Sequence, residues 1–417
     1  MGGIKGEKML MMKWLLGVGY WVQGLRCFPW LAVIFFLKDG LNVDSSTLQI
    51  LQNSANTPMV GKPLYGVISD AVYFRGQHRL PYLALGAILQ ALSWIAIAML
   101  ASSSISISTL TFYLLLSNLG ASLAEVANDA IVAEISKEPN SLKKGKTHSS
   151  GELQSFVWMA SSVGGVLGNL VGGVALERFS ARVMFLTYGA ILIIQFIITI
   201  LVDERTLSLP KNESGGGMKE QLAQLASALC KPEIANPIAW LVASYAMVPL
   251  LTGTMFFYQT QALGIDSLVL GMSKVFGQVA MLVWSFYYNK CLKAASPRRV
   301  ISAIQATMAV FMLSDVLFVN KFYQQMGLPN AVVVIAQLCP PGCEGSLIAF
   351  VMSAIALAMI VSGYLGVALA SYVGVTGTNF SGLPLGLLIQ AACTTMPLLL
   401  SSWIPDCIKP DIAKKKE

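Results

Sequence analysis

The sequence predicts an all-α membrane protein, with twelve transmembrane helices arranged as two pseudo-symmetric six-helix bundles. Composition is the first reason. Of 417 residues, 55% are hydrophobic and only 12% charged, against roughly 25% charged in a soluble domain. The second is length: apolar runs of about 20 residues recur from end to end, each enough to cross a hydrocarbon core about 30 Å thick. The third is a weak internal duplication that divides the chain in two.

In order, the spans fall at 14–37, 45–68, 80–101, 107–135, 152–175, 181–202, 234–260, 266–289, 298–319, 328–352, 354–375 and 383–404. Glycines and prolines inside several of them point to helices packed against protein, where freed backbone groups find partners. A first bundle over 1–202 and a second over 234–417 flank the only long hydrophilic stretch, 203–233. Its core, Asn212-Glu213-Ser214-Gly215-Gly216-Gly217, reads as a flexible cytoplasmic linker, with a short interfacial helix expected at 218–230. Most of the 28 Lys and Arg fall on one face, whereas the other holds only Lys38, Arg178, Arg182 and Lys321. That asymmetry places both termini on the cytoplasmic side. The net charge of +7 is then topology and contact with anionic lipid, as at Lys414-Lys415-Lys416, rather than nucleic-acid binding.

The duplication shows in matched segments. Leu41-Asn42-Val43-Asp44-Ser45-Ser46 recurs as Leu263-Gly264-Ile265-Asp266-Ser267-Leu268, each between a first and a second span. Asn118-Leu119-Gly120-Ala121-Ser122-Leu123-Ala124-Glu125 aligns with Gln337-Leu338-Cys339-Pro340-Pro341-Gly342-Cys343-Glu344 at nearly the same offset. Parallel repeats of this kind enclose a central cavity with substrate near the midplane.

The fourth span carries the sharpest constellation. Asn118, Ser122, Glu125 and Asp129 are spaced to share one helix face. Two carboxylates cannot face lipid cheaply, so they face protein or water. Glu125 and Asp129 are candidates for proton coupling and for substrate contact, or else one of them is an interhelical partner for Lys62 or a loop arginine. Arg26, near the middle of the first span on a stripe with Gln23 and Trp30, can grip a substrate carboxylate bidentately or pair internally with Glu125. In the eighth span Lys274 and Gln278 lie one turn apart. Lys274 is a second intramembrane cation, available to substrate or to Asp315. Arg26, Glu125, Asp129, Lys274 and Gln23 are the candidate substrate-binding residues.

A second group reads as gating. Lys62, Gly66, Asp70, Arg75 and Arg79 lie where an apolar helix meets a basic loop, and charges there can lock two halves of a carrier and release them. Pro340, Pro341 and Glu344 combine two helix breakers with a carboxylate and read as a hinge. By contrast Gly164, Gly168 and Gly172, and Gly366, Ala370 and Gly374, are small residues at four-residue spacing that suit close helix packing.

Other classes fare poorly. There is no Gly-rich phosphate loop, zinc-protease motif or nucleophile elbow, and the two histidines, His78 and His148, are too few for general-base chemistry. No enzyme, metal site or cofactor is expected. The seven cysteines lack metal or redox spacing, and the first residues fit neither a cleavable signal nor a transit peptide.

A Gly-x-x-x-Asp step running into basic residues between two spans resembles the signature loop of major-facilitator transporters. The fuller string Lys62-Pro63-Leu64-Tyr65-Gly66-Val67-Ile68-Ser69-Asp70 resembles the folate–biopterin transporter family. So do Tyr20-Trp21-Val22-Gln23-Gly24, Phe36-Leu37-Lys38-Asp39, Asp129-Ala130-Ile131-Val132-Ala133-Glu134, Leu153-Gln154-Ser155 and the Pro340–Glu344 motif. The resemblance covers nearly all spans. It implies a multi-pass, proton-coupled carrier of folates or pterins, in which Asp129 would accept from the pterin ring and Arg26 or Lys274 would hold a glutamate tail. Trp30 stands where members carry an arginine. Arg26, one turn earlier, either replaces that cation or marks a subgroup with another substrate.

The expectation is therefore a monomeric secondary transporter moving a folate or pterin-like anion by alternating access, with protons and membrane lipids as its other partners. The alternatives are a carrier of another organic anion and a non-transporting membrane receptor or scaffold. The latter has no use for costly intramembrane charges in both halves.

Overall fold

A computed structural model describes residues 2–74, 76–100, 105–136, 149–202, 230–287, 297–317 and 345–403, together with positions 204, 227 and 319. The described chain is helical, with one isolated bridge between Phe74 and Gln77. Its helices are α1 Gly2–Leu25, α2 Cys27–Phe35, α3 Ser45–Ala55, α4 Lys62–Ala71, α5 Leu80–Leu100, α6 Ile107–Ser136, α7 Ser149–Arg178 and α8 Ala181–Leu201. After the linker come α9 Pro232–Ala246, α10 Thr252–Phe257, α11 Ser267–Tyr287, α12 Pro297–Leu317, α13 Gly345–Tyr372 and α14 Leu383–Leu399.

Among the described residues seven helices are long and apolar enough to cross a membrane. Several predicted spans are interrupted. The second breaks between α3 and α4 at a 3₁₀ turn, Thr57–Gly61, where Pro58 and Pro63 cannot donate to a continuous helix. The seventh breaks between α9 and α10, beside Pro249. The boundary expected near 353 does not exist, because α13 runs unbroken from Gly345 through a proline-free stretch. Most of the tenth span and of the 203–233 linker lie outside the described residues.

The first duplicated segment has the same local geometry in both copies. A π turn, Phe36–Gly40 or Tyr258–Ala262, ends the helix before it. A left-handed residue follows: Asn42 at φ 50° and Gly264 at φ 61°. Matching backbone bonds close each turn, Val43 N–H to Leu37 C=O at 3.0 Å and Ile265 N–H to Gln259 C=O at 2.9 Å. Asn and Gly are the residues that tolerate this backbone best. The second duplicated segment reaches 337–344, outside the described residues.

Small residues set the packing that positions the site. A Cβ at Gly164 would collide with the Trp21 carbonyl, and one at Gly24 with the Ser161 carbonyl, so α1 and α7 touch backbone to backbone. Gly168 and Gly172 continue that seam against Leu25 and Phe28. Gly366 abuts the Leu250 carbonyl, whereas Gly374, expected on the same stripe, lies past the end of α13 at φ 72° with nothing against it. It caps the helix instead. Trp94, Phe185 and Tyr188 fill the centre of the first core, while Ile194, Ile197 and Ile200 on α8 stay exposed, as a lipid-facing surface requires.

Candidate functional site

The helix breaks create the site. Arg26 sits where α1 gives way to α2, and Lys62 opens α4 just after the 3₁₀ turn. Both reach Glu125 on α6. Arg26 Nη1 donates to one carboxylate oxygen at 2.9 Å, and Lys62 Nζ donates to the other at 2.6 Å. Arg26 Nη2 donates to Asn118 Oδ1 at 2.6 Å, and Asn118 Nδ2 donates to the Ala55 carbonyl at 2.5 Å. That carbonyl belongs to the last residue of α3, so the break in the second span supplies both a cation and an acceptor. The three charged side chains are 17%, 13% and 10% exposed for Arg26, Lys62 and Glu125. Two cations on one carboxylate leave the cluster one positive charge in excess.

One turn along α6, Asp129 accepts from the Tyr20 hydroxyl at 2.5 Å. The predicted face of α6 thus holds, except that Ser122 donates within its own helix to Leu119 C=O. Gln23 turns its Oε1 inward, where no described group donates to it. Lys274, on α11, is exposed; no ion pair joins it to Asp315. Its neighbour Gln278 lies about 3.5 Å from where a Gly165 Cβ would be, at the contact of α11 with α7.

The basic loop is bound within the first half. Arg79 donates to Glu134 at 2.6 and 2.9 Å, to Ser69 Oγ at 2.7 Å, and to Asp70. Glu204, just past α8, accepts the N–H groups of His78, Arg79 and Leu80 at 2.9–3.1 Å and so caps α5. His78 bridges Glu204 at 2.7 Å and Glu134 at 3.2 Å. Burial pulls the His78 pKa down, but the bonds to these two carboxylates outweigh it and raise the value to about 9. Burial works against ionised Glu204 too, yet His78 and the three backbone donors hold its pKa at about 2. Gly66 faces Val126 of α6 at ordinary contact distance. Arg75, Pro340, Pro341 and Glu344 lie outside the described residues.

Three features escaped the sequence reading. Tyr20 is legible only as part of a motif string, and Glu204 only as the second of two acids after the sixth span. Gln49 on α3 carried no signal at all. Its Nε2 donates to the carbonyls of Leu250 at 2.6 Å and Gly363 at 2.7 Å, and its Oε1 accepts the Gly253 N–H at 2.8 Å. It therefore ties α3 to the α9–α10 break and to α13. Farther along the same seam Ser54 and Tyr364 share a bond of 2.9 Å, and Ser353 donates to the Val60 carbonyl.

Comparison with known proteins decides the family. The BT1 family model matches residues 23–335 and 331–417. The chain belongs to the BT1 family. Among relatives of this BT1 member, "Probable folate-biopterin transporter 7" of Arabidopsis thaliana is 57% identical, over 95% of this chain and 93% of its own. "Probable folate-biopterin transporter 9, chloroplastic", from the same plant, is 38% identical over 96% and 78%. A solved D-xylose-proton symporter superposes with a TM-score of 0.55 at 15% identity, covering 94% of this chain and 89% of that one. At that identity it shares the fold alone. This BT1 protein is a membrane transporter and not an enzyme.

Proposed function

We propose that this transporter moves folate or pterin-like anions by alternating access coupled to protons, through twelve spans in two six-helix bundles, 1–202 and 234–417, joined by the linker 203–233. The carrying observation is the Arg26–Glu125–Lys62 cluster. A carboxylate held by two cations, with one positive charge to spare, is an internal stand-in for an anionic substrate. A folate glutamate tail competes with Glu125 for Arg26. Lys274 offers a further cation from the other half, and Gln23 lines the same region. Once Glu125 loses its partners it takes a proton, and Asp129 one turn away serves the same purpose or accepts from the pterin ring.

Gating follows from the two ends. The Gln49 clamp closes the side bearing Asp44 and Asp266, which the basic-loop asymmetry makes the non-cytoplasmic side. At the cytoplasmic end, Gly66, Asp70, Arg75 and Arg79 tether the loop between the second and third spans, and Pro340, Pro341 and Glu344 hinge the tenth. Lys62 belongs to the binding cluster as well as to the motif. Lipids surround a monomer with both termini cytoplasmic.

The test is uptake of radiolabelled folate and of biopterin into liposomes holding the purified protein, with and without an imposed proton gradient. Accumulation of either, driven by the gradient, is the expected outcome. Folded protein that moves neither overturns the substrate assignment, and uptake indifferent to the gradient overturns the coupling.

A further inference from the structure

Between α1, α5, α6 and α8 lies a cavity of about 20 Å³. Its polar lining comes from Gln23, Arg26, Gln90, Glu125, Asn128 and Gln195, with Tyr188 closing one wall. Three of these side chains are anomalous in the same way. The buried oxygens Gln23 Oε1, Asn128 Oδ1 and Gln195 Oε1 accept no hydrogen bond from any described group. Their residues come from three different helices and line one cavity. Asn128 and Gln195 are only 2% and 4% exposed. Buried polar atoms left without partners are costly, and single ones are uncommon. Three around one space indicate that the space holds a donor.

The cavity's dimensions limit that donor. A water needs roughly 10–15 Å³ and two to four polar partners, so there is room for one. A metal cation is disfavoured, because the Arg26 guanidinium lines the same wall and like charges repel strongly out of bulk water. An apolar guest would leave all three oxygens unmet. Gly19 leaves room for the Asn128 amide. A Cβ there would fall 2.7 Å from Asn128 Nδ2 and 3.0 Å from its Oδ1, so the amide would have to move.

We propose that this cavity is an internal water site which hydrates the Arg26–Glu125 pair from behind. The water's two hydrogens serve the oxygens of Asn128, Gln195 and Gln23 two at a time, and its oxygen accepts from Arg26. A salt bridge in a dry interior separates only at high cost. With a water at its back, Glu125 has a hydrogen-bonding partner at the moment substrate takes Arg26, so the exchange of partners becomes fast. This second role rests on the transport reading above; the water site itself does not.

Radiolytic hydroxyl labelling in H₂¹⁸O, read by mass spectrometry on the folded full-length protein, separates the two. Tyr188 and Phe185 are equally buried, but only Tyr188 lines the cavity. Tyr188 should label several-fold faster than Phe185, and Gly19→Ala or Gln195→Leu should remove the excess. Equal, slow labelling of both residues overturns the water site, whatever the protein transports. Where a variant fails to fold, the comparison within the unaltered protein still decides. In folded Gln195→Leu, the maximal transport rate should fall several-fold while substrate affinity holds. An unchanged rate, with labelling abolished, overturns the role in pair opening alone.

Discussion

Arg26 donates to Glu125 at 2.9 Å from the point where the first transmembrane segment changes from α1 to α2. Lys62 occupies the second oxygen of the same carboxylate. No single change in this cluster is neutral. Glu125→Gln leaves two mostly buried cations around an uncharged amide, a loss of about 3 kcal/mol for breaking such a pair. Its melting temperature in detergent should drop clearly. Arg26→Gln combined with Glu125→Gln should recover part of that drop without recovering transport. A double variant as unstable as the sum of the two singles would show that the residues do not act as a pair.

On the proposed reading Asp129 would act in coupling rather than in holding the cluster together, since its partner is the neutral Tyr20 hydroxyl. Asp129→Asn should abolish accumulation driven by a proton gradient while preserving exchange of labelled for unlabelled substrate across liposomes. Gradient-driven accumulation that survives the substitution would remove Asp129 from the coupling path.

Gln49 makes three bonds from α3, one to α13 and two to the α9–α10 break, while only 2% exposed. Gln49→Leu strands the Leu250 carbonyl and the Gly253 N–H, at about 1–3 kcal/mol for each buried group left unmet, and removes the extra bond to the mid-helix Gly363 carbonyl. The expected result is a population shift towards opening at that end. Distances between spin labels on α3 and α13, near Ser54 and Tyr364, should lengthen in a second population. A distance distribution identical to that of the unaltered protein would deny Gln49 the role of clamp.

The His78–Glu204 pair predicts a pH response. His78 has its pKa raised to about 9, so its contribution is complete below the ordinary value near 6.5 and fades as pH rises through about 9. Glu204 has its pKa lowered to about 2. Its contribution is complete above about 4.5 and is lost only as pH falls through about 2. The cap on α5 is therefore strongest between about pH 4.5 and 6.5. Melting temperature should decline from pH 6.5 to 9 in the unaltered protein, and His78→Gln should flatten that decline. Parallel slopes would indicate that another group titrates there.

Much of the architecture was legible because a bilayer imposes a simple rule. A segment without internal hydrogen bonds cannot cross hydrocarbon, so about twenty apolar residues announce a helix whatever surrounds them. The α6 face was legible for the same reason: carboxylates at helical spacing in an apolar run can only turn inward. The duplication was readable as matched segments around Asn42 and Gly264, but their shared left-handed backbone came only with the structure. Interruptions were harder. Pro58, Pro63 and Pro249 stand in plain view, yet where a helix restarts after a proline depends on what its neighbours offer the freed groups, as Asn118 does for the Ala55 carbonyl.

By itself, then, the sequence determined an all-α membrane chain, the polar face of α6, and the family, because hydropathy, periodicity and motif strings are local properties. Only the tertiary structure decided which charges meet. It drew Lys62 out of the loop motif and onto Glu125, left Lys274 and Asp315 without an ion pair between them, closed Arg79 on Asp70 and Glu134 within one half, and set Gln49 across the seam. Side chains that find each other across helices are separated by scores of residues, and no local pattern encodes the approach of two helices. That approach is set where glycines such as Gly24 and Gly164 let backbones touch.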